Sequence, residues 1–183
     1  MLCLQIDVYQ AYLRHGESKG LRKRYKCQIR QFWHAVPHVR IADAFLSYMS
    51  GAQPLLVTNA ANLVAPNTVH VLRFNQSCRP LSYAASWKSS LTRLSCELEG
   101  HALGGGLFKL EPSEAGNVLV VRPRATPIKG LMSRIRRGRI DSPEQFSDVA
   151  DRYLLRGYLG LSPAECALLR DAAGKIESWR KHK

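Results

Sequence analysis

The sequence predicts an α+β fold: a mixed small sheet packed on a long helix, with a helical extension at the C-terminus. Three observations predict it. Short runs rich in β-branched and aromatic residues lie between residues 39 and 74, bounded by Pro, Gly or Asn. Apolar residues then recur every three or four positions from Leu81 to Leu98, which is the period of a helix. Two Ser-Pro boxes, at Ser142 and Ser162, place Gln145 and Glu165 three residues after the serine, the pattern of a capped helix start.

In chain order, Ile6, Tyr9 and Leu13 have helical spacing, and Gly16 is the expected stop. A dense basic segment follows, with Lys19, Arg22, Lys23, Arg24, Lys26 and Arg30. Within it Tyr25, Cys27 and Ile29 alternate with Lys26, Gln28 and Arg30, which predicts a strand with one apolar and one basic face. Such a strand is either a surface that tracks a phosphate backbone or a solvated outer strand. Val39–Ile41, Leu55–Thr58 and Val69–Phe74 are the next expected strands. The stripe of Leu81, Ala84, Trp87, Leu91, Leu94 and Leu98 predicts one helix of about five turns, ending at Gly100, with the stripe as core.

The segment HALGGGLFKLEPSE comes next. Three consecutive glycines are costly in regular structure, so they mark a backbone bend or a close approach. They match neither a P-loop nor a dinucleotide fingerprint. A short strand over Asn117–Val121 is expected, then a second basic run of Arg122, Arg124, Lys129, Arg134, Arg136, Arg137 and Arg139. Helices over 143–156 and 163–180 complete the chain. The expected division is an α+β domain over 1–125 and a basic linker with helical extension over 126–183.

Of 183 residues, 27 are Lys or Arg and 14 are Asp or Glu, a net charge of +13. That excess is the footprint of a polyanion binder, with nucleic acid the first partner to consider. A hydrophobic fraction of 45% is that of a globular chain and excludes a disordered basic tail. No apolar run of about 18 residues exists and no basic-then-apolar leader opens the sequence, so no membrane span and a cytoplasmic location are expected.

Cys3, Cys27, Cys78, Cys96 and Cys166 are scattered and form no C-x-x-C pair, against both a disulfide framework and a zinc ribbon. His34 and His38 are four apart, but Pro37 lies between them, and no metal site is expected. No nucleophile elbow or other catalytic constellation is present. Asp43 is the only acid between Glu17 and Glu97, too few ligands for two-metal chemistry in that stretch.

The stretch Tyr12–Pro37, YLRHGESKGLRKRYKCQIRQFWHAVP, resembles the start of the C-terminal region of bacterial N6-adenine DNA methyltransferases of restriction–modification systems. That family has a YL-x-x-GE segment, a basic RY-x-C-x-x-R segment and a W-x-x-VP turn. The similarity runs on through IADAFLSYMSGAQPLLVTNAANLVAPNTVHVLRF and is strongest at GHALGGGLFKLEPSE, so it covers roughly Tyr12–Arg122. The resemblance implies a target-recognition region.

In the family the methyl donor, S-adenosylmethionine, sits on a Rossmann-like domain, and an (N/D)-P-P-(Y/F) tetrapeptide holds the flipped adenine. Neither occurs here, since every Pro is single. The expectation is therefore a recognition half without its catalytic half: a gene fragment, a truncated form or one piece of a split enzyme, inactive in methyl transfer alone. No catalytic residue and no cofactor are expected in this chain. Its expected partners are double-stranded DNA and a separately encoded catalytic half.

An enzyme that extrudes a base needs duplex contacts elsewhere. The expected DNA contacts are Arg22, Lys23, Arg24, Lys26, Arg30, Asn67, Thr68 and Lys109, cations for phosphates and polar side chains for base edges. Asn59 and Asn62 belong to the same polar group, although Asn also forms turns. Gly104, Gly105 and Gly106 are expected to let the backbone approach DNA or a partner domain closely. The rival class is a non-enzymatic RNA- or ribosome-binding protein, for which the charge is ordinary but no RNP-like aromatic pattern exists. A remnant without activity is the third reading.

Overall fold

Backbone hydrogen bonding decides the first forty residues against the side-chain alternation seen there. The computed structural model describes residues 2–36, 39–65, 68–75, 79–122, 128–137 and 142–182. The chain forms two compact units, Met1–Arg40 and Ile41–Lys183. The first holds α1 (Leu2–Ser18), a 3-10 turn (Leu21–Lys23) and α2 (Tyr25–Gln28).

The expected basic strand over 25–30 is thus a helical turn, closed by Gln28 N donating to Arg24 O at 3.0 Å. Tyr25 and Ile29, the two ends of the alternating set, are four apart, so one helical turn satisfies their spacing equally well. They are 74% and 66% exposed, so no apolar sheet face forms. Helix α1 continues past Gly16, where a Cβ would come 2.7 Å from the Trp33 ring. The Tyr9 hydroxyl and His34 Nδ1 share a 2.9 Å hydrogen bond that ties α1 to this aromatic turn.

The second unit is built on β1 (Ala44–Ser47), paired antiparallel with β3 (Leu56–Thr58) on one side and β4 (Val69–Leu72) on the other. Leu46 stands opposite Leu56 and His70, and Ala44, Leu46 and Leu56 are buried. A second antiparallel sheet has the order β2 (Met49–Ser50), β6 (Phe108–Lys109), β5 (His101–Ala102). The fold is α+β, with two small antiparallel sheets in place of the one mixed sheet expected. Val39–Ile41 forms no strand; pairing begins at Ala44.

The expected five-turn helix is two helices, α3 (Pro80–Ser86) and α4 (Ser90–Glu99). Ser89 caps α4 by accepting from Thr92 N, a local bond of the kind that starts helices. Trp87 occupies the break at 4% exposure and donates from its indole to Pro54 O at 2.7 Å. Because the phase resets there, the stripe splits: Trp87 is core, whereas Leu81 and Leu98 are 38% and 65% exposed.

After α5 (Pro112–Asn117) residues 118–121 belong to neither helix nor strand, so the expected strand does not form. Side chains of α4 bond the backbone there instead: Leu119 N donates to Ser95 Oγ at 2.8 Å, and Thr92 Oγ1 donates to Leu119 O at 2.9 Å.

Two of the C-terminal helices match those expected over 143–156 and 163–180, and a further one forms where a basic linker was expected. They are α6 (Ile128–Arg136), α7 (Pro143–Ala150) running into a π-helical turn (Asp151–Arg156), and α8 (Pro163–Lys181). Ser142 accepts from Gln145 N at 3.2 Å. Ser162 accepts from Glu165 N at 3.2 Å while Glu165 Oε2 accepts from Ser162 N at 2.8 Å, a complete capping box.

Leu131, Val149, Ala150, Leu154, Leu155 and Cys166 form one core with Ala85 and Val121; the other joins the first sheet to Trp87, Cys96, Phe108, Leu110 and Val118. The expected division at 125 falls outside the described residues, and the described elements on either side of it belong to the same compact unit.

Helix α8 packs along α4. Arg180 makes a two-pronged pair with Glu97, at 3.0 Å from Nε and 2.9 Å from Nη2, and its Nη1 donates to Gly106 O. Its guanidinium lies over the Phe108 ring, 5.2 Å from the centroid.

Candidate nucleic-acid interface

In the first unit, the 3-10 turn and α2 distribute the basic segment around two short helical turns. Arg22, Lys23, Arg24 and Lys26 are exposed and Arg30 is half-buried. The nearest acid is Glu17, whose Oε1 lies 3.8 Å from Arg22 Nη1 in a solvent-exposed pair. Such a pair contributes little, so the segment keeps its positive field. A helical turn fans these cations out, whereas the expected strand would have aligned them on one face.

In the second unit, the polar residues near β4 divide. The Asn59 side chain donates to Ala42 O at 2.9 Å and to Leu63 O at 2.8 Å, and accepts from Leu63 N at 2.9 Å. It is spent on closing its own loop. Asn62 sits at φ 54 and is exposed, as is Thr68, while Asn67 lies outside the described residues.

Lys109 is half-buried in a network that sequence reasoning missed. Its Nζ lies 2.5 Å from Glu111 Oε1 and 5.0 Å from the centroid of the Tyr48 ring. The Tyr48 hydroxyl donates to Glu111 Oε2 at 2.8 Å, and the ring meets His70 edge-on at 5.2 Å. Hydrogen bonds from Lys109 and then Tyr48 hold the Glu111 carboxyl below its ordinary range, while the same contacts, Glu111 first, push the Lys109 ammonium up.

His70 Nε2 is 2.6 Å from Leu110 O, so the network joins the two sheets. Tyr48, His70 and Glu111 also line a groove of about 590 Å³ between β4 and α5. Lys109 is therefore matched by a close carboxylate, whereas in the first unit only Arg22 has one, at 3.8 Å and in solvent. A signal for that pair was present in the sequence, because residues two apart in an extended segment share a face.

The glycine triplet forms a 3-10 turn from β5 to β6. Gly105 and Gly106 have φ of 72° and 73°. A Cβ on Gly106 would lie 3.2 Å from Lys181 Cα, so the close approach here is to α8 of the same chain. Gly104 and Gly105 are exposed and face open space. Gly105→Val is expected to cost about 1–2 kcal/mol through the left-handed backbone alone. Urea unfolding would register it as a shifted midpoint at constant slope, and a midpoint equal to wild type would refute it.

Among the described residues, no three His, Cys, Asp or Glu side chains converge as a metal site would need. No helix among them is long and apolar enough to cross a membrane.

A family model described as "Type II methyltransferase M.Eco57I, C-terminal domain" matches residues 6–155. The chain belongs to this family of type II methyltransferase C-terminal domains. No curated protein and no solved structure matches it. The match reaches through both compact units to the π-helical turn and stops before α8.

Both sheets are antiparallel, and Gly106 of the glycine turn lies against Lys181, so the described residues offer no parallel-sheet crevice with a glycine loop.

Proposed function

We propose that the chain is the DNA-binding, target-recognition part of a site-specific N6-adenine DNA methyltransferase of a restriction–modification system. It would work in the cytoplasm with a catalytic half that carries S-adenosylmethionine and the adenine clamp. Membership of the C-terminal domain family over residues 6–155 is the observation that carries this reading.

The net charge of +13 supports it, because phosphate contacts supply affinity and register before any base is read. Arg22, Lys23, Arg24 and Lys26 are the exposed cations best placed for that role, with Arg30 beside them. Thr68 and Asn67 are proposed as groove readers. Lys109, matched by Glu111, is proposed to act only where DNA displaces that carboxylate.

The test is binding of the whole chain to a mixed-sequence duplex across about 50–200 mM salt, with selection of the bound sequences. Contact with six phosphates predicts a log–log slope of roughly −5, together with enrichment of one motif. A flat slope, or tighter binding to an RNA hairpin than to duplex DNA, would refute the reading.

A further inference from the structure

The second basic run acquires a shape in the fold. Helix α6 turns Leu131, Met132 and Ile135 toward the core. At 100° per residue, Arg137 then projects on the opposite side, with Lys129 and Arg134 on the two flanks, and all three are exposed. Gly130 lies on that same side, where a Cβ would come 2.4 Å from the Tyr153 ring. The seam between Gly130 and Tyr153 brings the basic side of α6 against the π-helical turn, whose Arg152 and Arg156 are exposed as well.

None of these five cations forms an ion pair with a described residue. Two acids close to them in sequence are already committed. Asp148 pairs with Arg170, and Asp151 is buried, accepting from Ser90 N at 2.8 Å with Arg170 Nε at 4.0 Å from its other oxygen. Five exposed cations with no acid partner among the described residues repel one another, and a polyanion relieves that repulsion.

We infer that α6 and the 151–156 turn form a second phosphate-contacting surface, which grips the backbone of duplex DNA. The inference rests on the DNA-binding reading and adds to it a surface in the second compact unit, where the cations of 22–30 play no part. Exposed cations with no acid partner among the described residues suit backbone contact, which is insensitive to sequence.

The experiment compares the whole chain with a variant carrying Arg134→Gln, Arg137→Gln, Arg152→Gln and Arg156→Gln, and with one carrying Lys at the same four positions. Salt-dependent binding to a duplex of fixed sequence is the readout. If the four arginines contact phosphates, the Gln variant lowers the magnitude of the log–log slope by roughly 3–4, at about 0.9 per contact. The Lys variant keeps the wild-type slope, since it keeps the charge.

A Gln variant that melts like wild type yet retains the wild-type slope overturns the inference and leaves the DNA reading intact. So does a Lys variant that loses as much slope as the Gln one. A flat slope in the wild-type chain would instead overturn the DNA reading itself. Should the fourfold Gln variant fail to fold, the pairs 134/137 and 152/156 are neutralised separately, each expected to remove about half of that slope change. No change in either pair overturns the inference.

Discussion

Arg180→Ala is expected to lower the stability of the chain by about 3–5 kcal/mol, the penalty for leaving one partner of a buried ion pair without the other. The side chains of Arg180 and Glu97 are only 4% and 3% exposed, so water cannot replace the lost guanidinium. The carbonyl of Gly106 loses its donor at the same time, and the Phe108 ring loses the cation above it. In urea, with a slope of about 2 kcal/mol/M, the midpoint should fall by roughly 2 M.

The double replacement Glu97→Met with Arg180→Met separates charge from packing. It removes both charges and fills similar volume, so most of the loss should return. A single variant that melts within about 1 kcal/mol of wild type would mean the pair is solvated. Helix α8 lies beyond the residues matched by the family, yet through Arg180 it holds the glycine turn that lies within them.

What the sequence revealed, and what it hid, follows the range of the interactions involved. The Ser142 and Ser162 boxes were legible because each hydrogen bond that defines them closes within three residues. The strands at 56–58 and 69–72 were legible from composition, but their antiparallel pairing with β1 depends on partners far along the chain. The segment 25–30 misled because Tyr25 and Ile29 satisfy both a period of two and a spacing of four. The stripe 81–98 misled because a capping serine at 89 resets the helix phase, and Trp87 turns that break into core.

For the candidate interface, the exposed cations of 22–30 were readable as charge, though not as two helical turns. The Glu111 contact that matches Lys109 was readable only in part: the pair lies two residues apart, but Tyr48 joins it from 63 residues away. Nothing in the sequence pairs Arg180 with Glu97, 83 positions apart. Likewise, the run 122–139 gave the sign of the second basic surface, and only the Gly130–Tyr153 seam gave it Arg152 and Arg156.

Among the described glycines, Gly100→Ala should be the most damaging single methyl addition, and its cause is contact alone. The residue has φ −82° and ψ 175°, which alanine adopts freely, so a helix stop by itself would accept the change. The obstacle is Phe108: a Cβ would come 2.2 Å from Cζ and 2.6 Å from Cε2 of its ring, and 2.9 Å from the backbone oxygen of Lys109.

The ring has nowhere to go, because Phe108 is 1% exposed and carries the Arg180 guanidinium on its face. Overpacking of this kind costs about 1–3 kcal/mol, and the immobile ring places Gly100→Ala at the upper end. For a chain of this length each kcal/mol lowers Tm by about 2–4 °C, so a loss of roughly 6–12 °C is expected by calorimetry. Phe108→Leu in the same chain shortens the obstructing side chain, and the pair should couple by about 0.5–3 kcal/mol, so that the double variant is more stable than the two single losses predict. Strict additivity, or a single-variant loss below about 0.5 kcal/mol, would make Gly100 merely the end of α4.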